Sequence, residues 1–268
     1  MPLKIHFISG LPRSGSTLLA GILRQNPNFH ASMTGPAAGI YTALLRSMSD
    51  ANESALFISD EQRRQVMTGA MESFYTRLSN KVIFDTSRDW CAHLPSLAEL
   101  FPNCKVVCCV RTPAWILDSV ERHVQKNLLR PAKMFNYEPH GTVYSRVEAL
   151  VKTGFVGGSL NALRQAWFGE HAHRIIAIRY DSLTERPTEV MNKLYELLKE
   201  PNFSHNFENV QYDEPEFDAV LGLPGFHKVA PRVEPRKRQT ILPPDIFCQY
   251  DRGFWELPGQ NSRGVTIL

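Results

Sequence analysis

The sequence has no long hydrophobic run and only a small excess of charge. Residues 1–4 lead directly into a short apolar segment, so we expect neither a signal peptide nor a membrane span and place the protein in the cytoplasm. A net charge of +3 is too small to predict nucleic-acid binding. It is compatible with a local basic groove for an anionic ligand.

Metal-ligand patterns are also absent from the sequence. Its five cysteines have no spacing typical of a metal site, and three of them lie in or beside a predicted buried strand. A thiol in such a strand behaves as a small hydrophobe. We therefore expect reduced, structural cysteines and no metal.

The most informative segment is a junction between a strand and a helix. Apolar residues 5–8 run through a Pro/Gly turn directly into a helix. Unpaired N–H groups and the helix dipole make such an N-terminus favourable for an anion such as phosphate. Arg13 adds a full positive charge, and Gly10 and Gly15 allow the backbone to approach a ligand closely. The hydroxyl groups able to donate to phosphate oxygens belong to Ser14, Ser16 and Thr17.

This turn lacks the lysine of the common nucleotide-triphosphate loop. Gly10 and Gly15 fit the pattern G-x-x-x-x-G-K-[ST], but Ser16 stands at the lysine position. The cation that would neutralise a transferring γ-phosphate is therefore missing, which argues against a kinase. The alternative to a phosphate-binding turn is an ordinary strand-to-helix turn whose arginine lies on the surface.

A second candidate anion site follows the continuous apolar run 104–110, which is typical of a strand buried on both faces. Arg111 ends this strand, and Ser119 lies eight residues later on the helix that follows. Open α/β sheets usually bind ligands at the carboxyl edge of their strands, where both sites would lie.

Strands and helices alternate along the whole chain. Strands are predicted at 5–8, 81–84, 104–110 and 174–180, and residues 30–36 are predicted as a loop. This alternation predicts an α/β fold, a three-layer α/β/α arrangement around a central parallel sheet, in a single domain over residues 1–268.

Residues 11–17 resemble the 5′-phosphosulfate loop of sulfotransferases that use 3′-phosphoadenosine 5′-phosphosulfate (PAPS), and the likeness extends from residue 4 to about 198. Its motif style is similar to that of bacterial and tyrosylprotein-type members. The resemblance implies a P-loop NTPase-like fold and sulfuryl transfer from PAPS without a metal, leaving adenosine 3′,5′-bisphosphate. It also implies that Arg111 and Ser119 hold the 3′-phosphate. The donor-binding residues expected from it are Pro12, Arg13, Ser14, Gly15, Ser16, Thr17, Arg111, Ser119, Tyr180 and Lys228.

Catalysis requires stabilisation of the leaving 5′-phosphate and a base for the acceptor's proton. Arg13 is expected to stabilise the leaving 5′-phosphate. For the base, the chain departs from the tyrosylprotein-type pattern, because residues 31–36 contain no carboxylate. Thr86 replaces a lysine that is usual in that family, with Arg88 as a substitute cation. The remaining candidates for the base are, in order, Asp89, His30 and Asp85.

Two irregular stretches can cover the site. Residues at about 127–158 are predicted as an insertion that acts either as a substrate lid or as a plain surface excursion. The basic, proline-broken loop at about 222–240 covers the nucleotide or is a solvated charge run. Lys228 is preferred in this loop because aromatic and proline neighbours can fix its position. Tyr180 contacts the nucleotide or only packs.

The sequence therefore predicts a PAPS-dependent sulfotransferase acting on a hydroxyl or amine. A small molecule, a glycan, a lipid or a peptide can be the acceptor, and the motifs do not choose among them. A monomer and a homodimer both stay open. The alternatives are a nucleotide-binding protein of the same fold without catalysis and a small-molecule kinase.

Overall fold

The centre of the fold is a sheet of six parallel strands. A computed structural model describes residues 3–126, 129, 141–152, 154–259, 261 and 263–268. The strands are β1 (Ile5–Gly10), β2 (Phe29–Ala31), β3 (Val82–Thr86), β4 (Val106–Val110), β5 (Ile175–Arg179) and β6 (Thr266–Ile267). Their order in the sheet is β2-β3-β1-β4-β5-β6, so β1 lies between β3 and β4 in the middle of the sheet.

Helices connect these strands and cover the sheet. The described residues form α1 (Ser16–Leu23), α2 (Ala37–Ser47), α3 (Asp60–Phe74), α4 (Leu94–Leu100), α5 (Pro113–Lys126), α6 (Val143–Lys152), α7 (Phe155–Phe168), α8 (Tyr180–Glu185), α9 (Pro187–Leu198), α10 (Pro215–Val220) and α11 (Pro244–Gln249). None of the helices in these ranges is both long and apolar enough to cross a bilayer.

Apolar side chains fill both faces of the sheet. Every residue of β4 is buried, as its continuous apolar sequence predicts. Val106 and Cys108 face one core layer, which includes α2 to α7, whereas Val107 and Cys109 face the other, which includes α1, α8 and α9. The predicted three-layer α/β/α arrangement around a parallel sheet is confirmed.

The edge strands were not visible in the sequence pattern. Residues 29–31, at the start of the predicted loop, form β2, which pairs with β3 and places Phe29 5.0 Å from the Phe84 ring. β6 pairs with β5 near the C-terminus. Both edge strands are too short to show a strand period, and their pairing with a neighbouring strand defines them.

The insertion predicted over 127–158 is only partly irregular. Helix α6 lies wholly inside this range and α7 begins within it. Val147 and Leu150 of α6 are buried in the core, and Arg146 makes a two-point ion pair with the buried Glu121 of α5. This part of the range is packed structure rather than an excursion. Residues 127, 128, 130–140 and 153, with the lid prediction that falls on them, lie outside the described residues.

Candidate functional site

A cavity of about 610 Å³ opens at the carboxyl edge of the sheet, beyond the ends of β1, β3 and β4. Ligands of parallel α/β sheets bind at this edge. Eleven of the residues that the sequence singled out line it together: Pro12, Arg13, Gly15, Ser16, Thr17, Arg88, Asp89, Arg111, Ser119, Tyr180 and Lys228.

The turn after β1 depends on two glycines. Gly10 has φ +97°, and a Cβ there would lie 2.4 Å from the Cys109 carbonyl oxygen of β4. Gly15 has φ +100°, and its Cβ would meet the Tyr180 ring at 3.0 Å. Arg13 itself adopts a left-handed φ of 56°. This backbone leads into α1 at Ser16, so the unpaired N–H groups of the helix N-terminus lie at the cavity.

Ser14 does not have the role that the sequence predicted for its hydroxyl. The side chain is buried and does not line the cavity. Its Oγ lies 2.8 Å from the Cys109 carbonyl oxygen and also contacts the Leu11 carbonyl, so its proton is used inside the protein. The hydroxyl therefore fastens the turn to β4 and does not contact the cavity.

Arg13 links three parts of the cavity wall. Its Nε donates to Ser119 Oγ of α5 at 3.1 Å, and Nη1 donates to the Phe226 carbonyl. The guanidinium carbon lies 4.1 Å from the centre of the Phe226 ring. Burial and the neighbouring charge of Arg111 lower the pKa of Arg13 to about 10. The side chain therefore stays positively charged at neutral pH.

Arg111 lies beside Arg13 on the same wall. Its Nη1 is 3.5 Å from the Arg13 carbonyl oxygen, and its guanidinium lies 4.1 Å from the centre of the Tyr180 ring. Among the described residues, its buried Nε has no hydrogen-bond partner. Burial lowers the pKa of Arg111. Two guanidinium groups with spare donors, next to the N-terminus of α1, form a site for an anion with more than one charged group.

Two of the three predicted bases are not placed for catalysis. Asp85 is buried, and its carboxylate accepts from Trp90 Nε1 at 2.6 Å and from the Tyr75 hydroxyl. Burial raises the pKa of Asp85. His30, on β2, packs beside Tyr75 and does not line the cavity. Neither residue lines the cavity, and the Asp85 carboxylate is already occupied by two donors, so the expectation that one of them serves as the base is corrected.

Asp89, Arg88 and Thr86 also line the cavity. Arg88 lies 5.4 Å from the centre of the Phe155 ring. Thr86 is 6% exposed, and within the described part of the chain its Oγ1 has no hydrogen-bond partner. The cavity wall here thus carries a buried hydroxyl without a partner and, from Arg88, a positive charge.

Sequence reasoning missed one pair of residues in the cavity wall. Asp218 of α10 is fully buried, and its Oδ1 lies 2.5 Å from His227 Nδ1, while Oδ2 accepts from the His227 backbone N–H at 2.9 Å. His227 lines the cavity. Two glycines with positive φ, Gly222 and Gly225, turn the chain back between them. These glycines were the only signal in the sequence for this contact.

The segment that carries Lys228 and Arg238 is fastened to α5. Asp118 is fully buried, and its carboxylate lies 2.7 Å from Arg238 Nη2 and accepts from the Ile241 backbone at 2.9 Å. Arg122 makes a second ion pair with Asp118 at 2.9 Å. Arg238 and the exposed Lys228 both line the cavity, so this segment adds positive charge to its wall. Nowhere in the described ranges do three His, Cys, Asp or Glu side chains come together as a metal site.

Residues 6–205 match the model of the sulfotransferase family. The sulfotransferase domain from the curacin biosynthetic pathway aligns with a TM-score of 0.52 at 19% identity, over 80% of this chain and 79% of that one. A sulfotransferase from Alicyclobacillus acidocaldarius gives a TM-score of 0.46 at 14% identity, over 82% of this chain and 90% of that one. No curated protein sequence matches the chain. The curacin-pathway domain shares the P-loop-like α/β fold. The family match spans well over half of the sequence, and this chain therefore belongs to the sulfotransferase family.

Proposed function

We propose that the protein transfers a sulfuryl group from PAPS to a hydroxyl or amine. One observation carries this proposal: the turn after β1 and the pair Arg111 and Ser119 line the same cavity, and Arg13 contacts Ser119 directly. PAPS carries one phosphate on the 5′ side and a second on the 3′ side of its ribose. Two neighbouring cationic sites match these two groups.

In this proposal the N-terminus of α1 and Arg13 bind the 5′-phosphosulfate. The bridging oxygen gains negative charge as the bond to sulfur breaks, and Arg13 with the N–H groups of residues 15–17 stabilises it. Ser16 and Thr17 line the cavity and donate their hydroxyl protons. Arg111 and Ser119 hold the 3′-phosphate, and Lys228 covers the nucleotide from the C-terminal segment.

The wall beyond the two arginines supports an acceptor with an apolar part. Its side chains include Phe155, Phe217, Leu221 and Leu223, together with Met33 from the loop after β2. Burying such a surface against an aromatic or aliphatic group is favourable by roughly 25 cal/mol per Å². Among the acceptor classes, a lipid or an apolar small molecule fits this wall better than a highly charged glycan.

Turnover separates this function from its alternatives. Purified protein is incubated with PAPS and a panel of aliphatic alcohols, phenols and amines, and release of adenosine 3′,5′-bisphosphate is followed by chromatography. We expect release that Arg13→Ala abolishes and that Lys237→Ala leaves unchanged, because Lys237 carries the same charge but does not line the cavity. Bisphosphate binding without release would indicate the non-catalytic alternative, and phosphate transfer from ATP with magnesium would indicate a kinase.

A further inference from the structure

We propose that His227, oriented by Asp218, is the general base that removes the acceptor's proton during sulfuryl transfer. This inference rests on the proposed function. Both residues lie beyond the segment 6–205 that matches the family model, so the assignment comes from the geometry of this chain.

The hydrogen bonds fix the tautomer and the orientation of the ring. A carboxylate only accepts hydrogen bonds, so the contact of 2.5 Å from Asp218 Oδ1 places the proton of neutral His227 on Nδ1. The backbone N–H of His227 holds the second carboxylate oxygen, which prevents the carboxylate from rotating away. Nε2 keeps its lone pair, and no described residue hydrogen-bonds to it. This is the arrangement of a base whose ring is oriented by a buried acid.

His227 also lies next to the group that would bind the reacting end of the donor. The preceding residue, Phe226, accepts a hydrogen bond from Arg13 through its carbonyl and stacks its ring on the Arg13 guanidinium. Arg13 and His227 are thus joined through one residue in the same cavity wall. An acceptor hydroxyl that approaches a sulfur held at Arg13 comes within reach of this histidine.

The competing base, Asp89, lacks such support. Its side chain is exposed, and no described side chain orients its carboxylate by a hydrogen bond. Asp218 itself is fully buried behind the histidine and cannot reach an acceptor. The other carboxylate on the cavity wall, Glu234, is half-exposed and lies 3.6 Å from the exposed Arg232. Of the carboxylates and histidines that line the cavity in the described ranges, His227 is the one held by a fully buried, hydrogen-bonded partner.

The charges around His227 keep it able to accept a proton at neutral pH. Burial lowers its pKa, Asp218 raises it, and Arg13 and Arg88 lower it further, so the net shift is downward from 6.5. His123 on α5 also interacts with it electrostatically, and Lys228 is its neighbour in the chain. The ring is therefore neutral at pH 7, and its protonation below its pKa would stop it acting as a base.

Sulfuryl transfer exchanges one bond from sulfur to oxygen for another and moves one proton. The acceptor oxygen attacks sulfur in line and forms the new S–O bond, while the bond from sulfur to the 5′-phosphate oxygen breaks. The electron pair of the broken bond stays on adenosine 3′,5′-bisphosphate, next to Arg13. The acceptor's proton moves to His227 Nε2, and solvent removes it after product release. No oxidant, reductant or metal enters the balance of this step.

Variants of the pair test the assignment by turnover. We expect His227→Gln and His227→Ala to lower kcat by roughly 10²–10⁴-fold while calorimetric binding of adenosine 3′,5′-bisphosphate stays within about threefold. Added imidazole should restore part of the turnover of His227→Ala. His173→Gln, which changes an exposed histidine outside the cavity, is the control and should turn over like the wild type. An unchanged kcat in His227→Gln overturns the proposal.

The pH dependence of kcat and the protonation state of the imidazole distinguish a general base from a residue with a purely structural role. Wild-type kcat should fall as the pH drops below the pKa of His227. Asp218→Asn should lower kcat and shift this acidic limb of the profile to lower pH, because Asp218 raises that pKa.

¹⁵N NMR of the imidazole should show a neutral ring with the proton on Nδ1 at pH 7, with and without the bisphosphate. A proton on Nε2, or an imidazolium ring at pH 7, contradicts the proposal even if no acceptor is turned over. Wild-type protein that never releases the bisphosphate from PAPS would instead refute the proposed function.

Discussion

Replacement of Arg111 by alanine tests the assignment of the two phosphate sites. The Arg111 guanidinium is held over Tyr180 at 4.1 Å and lines the cavity beside Arg13, so it is placed to contact an anionic ligand. A charge-assisted, bidentate contact from such a group contributes roughly 1.5–3 kcal/mol. Arg111→Ala should therefore weaken adenosine 3′,5′-bisphosphate by roughly 10- to 150-fold.

Calorimetry with two nucleotides separates a local contact from a general change of charge. Adenosine 5′-phosphate lacks the 3′-phosphate, so its affinity for Arg111→Ala should change by less than about threefold. Lys237→Ala removes the same unit of charge outside the cavity and should weaken neither nucleotide. Equal losses for the two nucleotides in Arg111→Ala would refute the assignment of Arg111 to the 3′-phosphate.

Three further predictions concern stability and the cavity wall. Gly10→Ala forces a Cβ to 2.4 Å from the Cys109 carbonyl oxygen at φ +97°, so urea unfolding should show a loss above about 2 kcal/mol. The control Gly39→Ala, with no atom within 4 Å, should show no loss. Burial lowers the pKa of His6 to about 4, so the stability present above pH 6.5 should fall by up to about 3 kcal/mol between pH 6.5 and 4. His6→Asn should flatten that slope in acid titrations, and an identical slope would exclude His6 as its cause. Asp118→Asn removes the partner of Arg238 at 2.7 Å and should weaken the bisphosphate several-fold in calorimetry, whereas an unchanged affinity would show that this ion pair does not support the cavity.

The centre of the fold was predictable because its signals are local. β1, the turn and α1 follow one another without interruption, and each residue type in the turn favours the same geometry. β4 is apolar throughout because both of its faces are buried. The separation of Arg111 and Ser119 is also local, since one strand end and the helix that follows it position both residues.

The remaining features depend on contacts between distant parts of the chain. β2 is short, and its pairing with β3 defines it rather than a period in its own sequence. The Ser14 hydroxyl resembles a ligand donor in the motif, but the approach of β4 provides the Cys109 carbonyl as its partner. Asp85 resembles a free carboxylate until α3 and the turn after β3 bring Tyr75 and Trp90 to it.

The pairing of His227 with Asp218 is the clearest example in the site. Neither residue belongs to a recognisable motif, and nine positions separate them. Positive-φ turns at Gly222 and Gly225 reverse the chain and bring the imidazole back to the buried carboxylate. Sequence periodicity cannot predict such a contact, because it depends on backbone reversal rather than on a repeated pattern.

Calorimetric titration with adenosine 3′,5′-bisphosphate and, in parallel, with ATP and magnesium tests the central claim most directly. Arg13 and Arg111 line one cavity with the N-terminus of α1, and the lysine position of the triphosphate loop holds Ser16. We predict tight binding of the bisphosphate without added metal and much weaker binding of ATP with magnesium. Preference for ATP with magnesium, or no binding of the bisphosphate, would contradict the account.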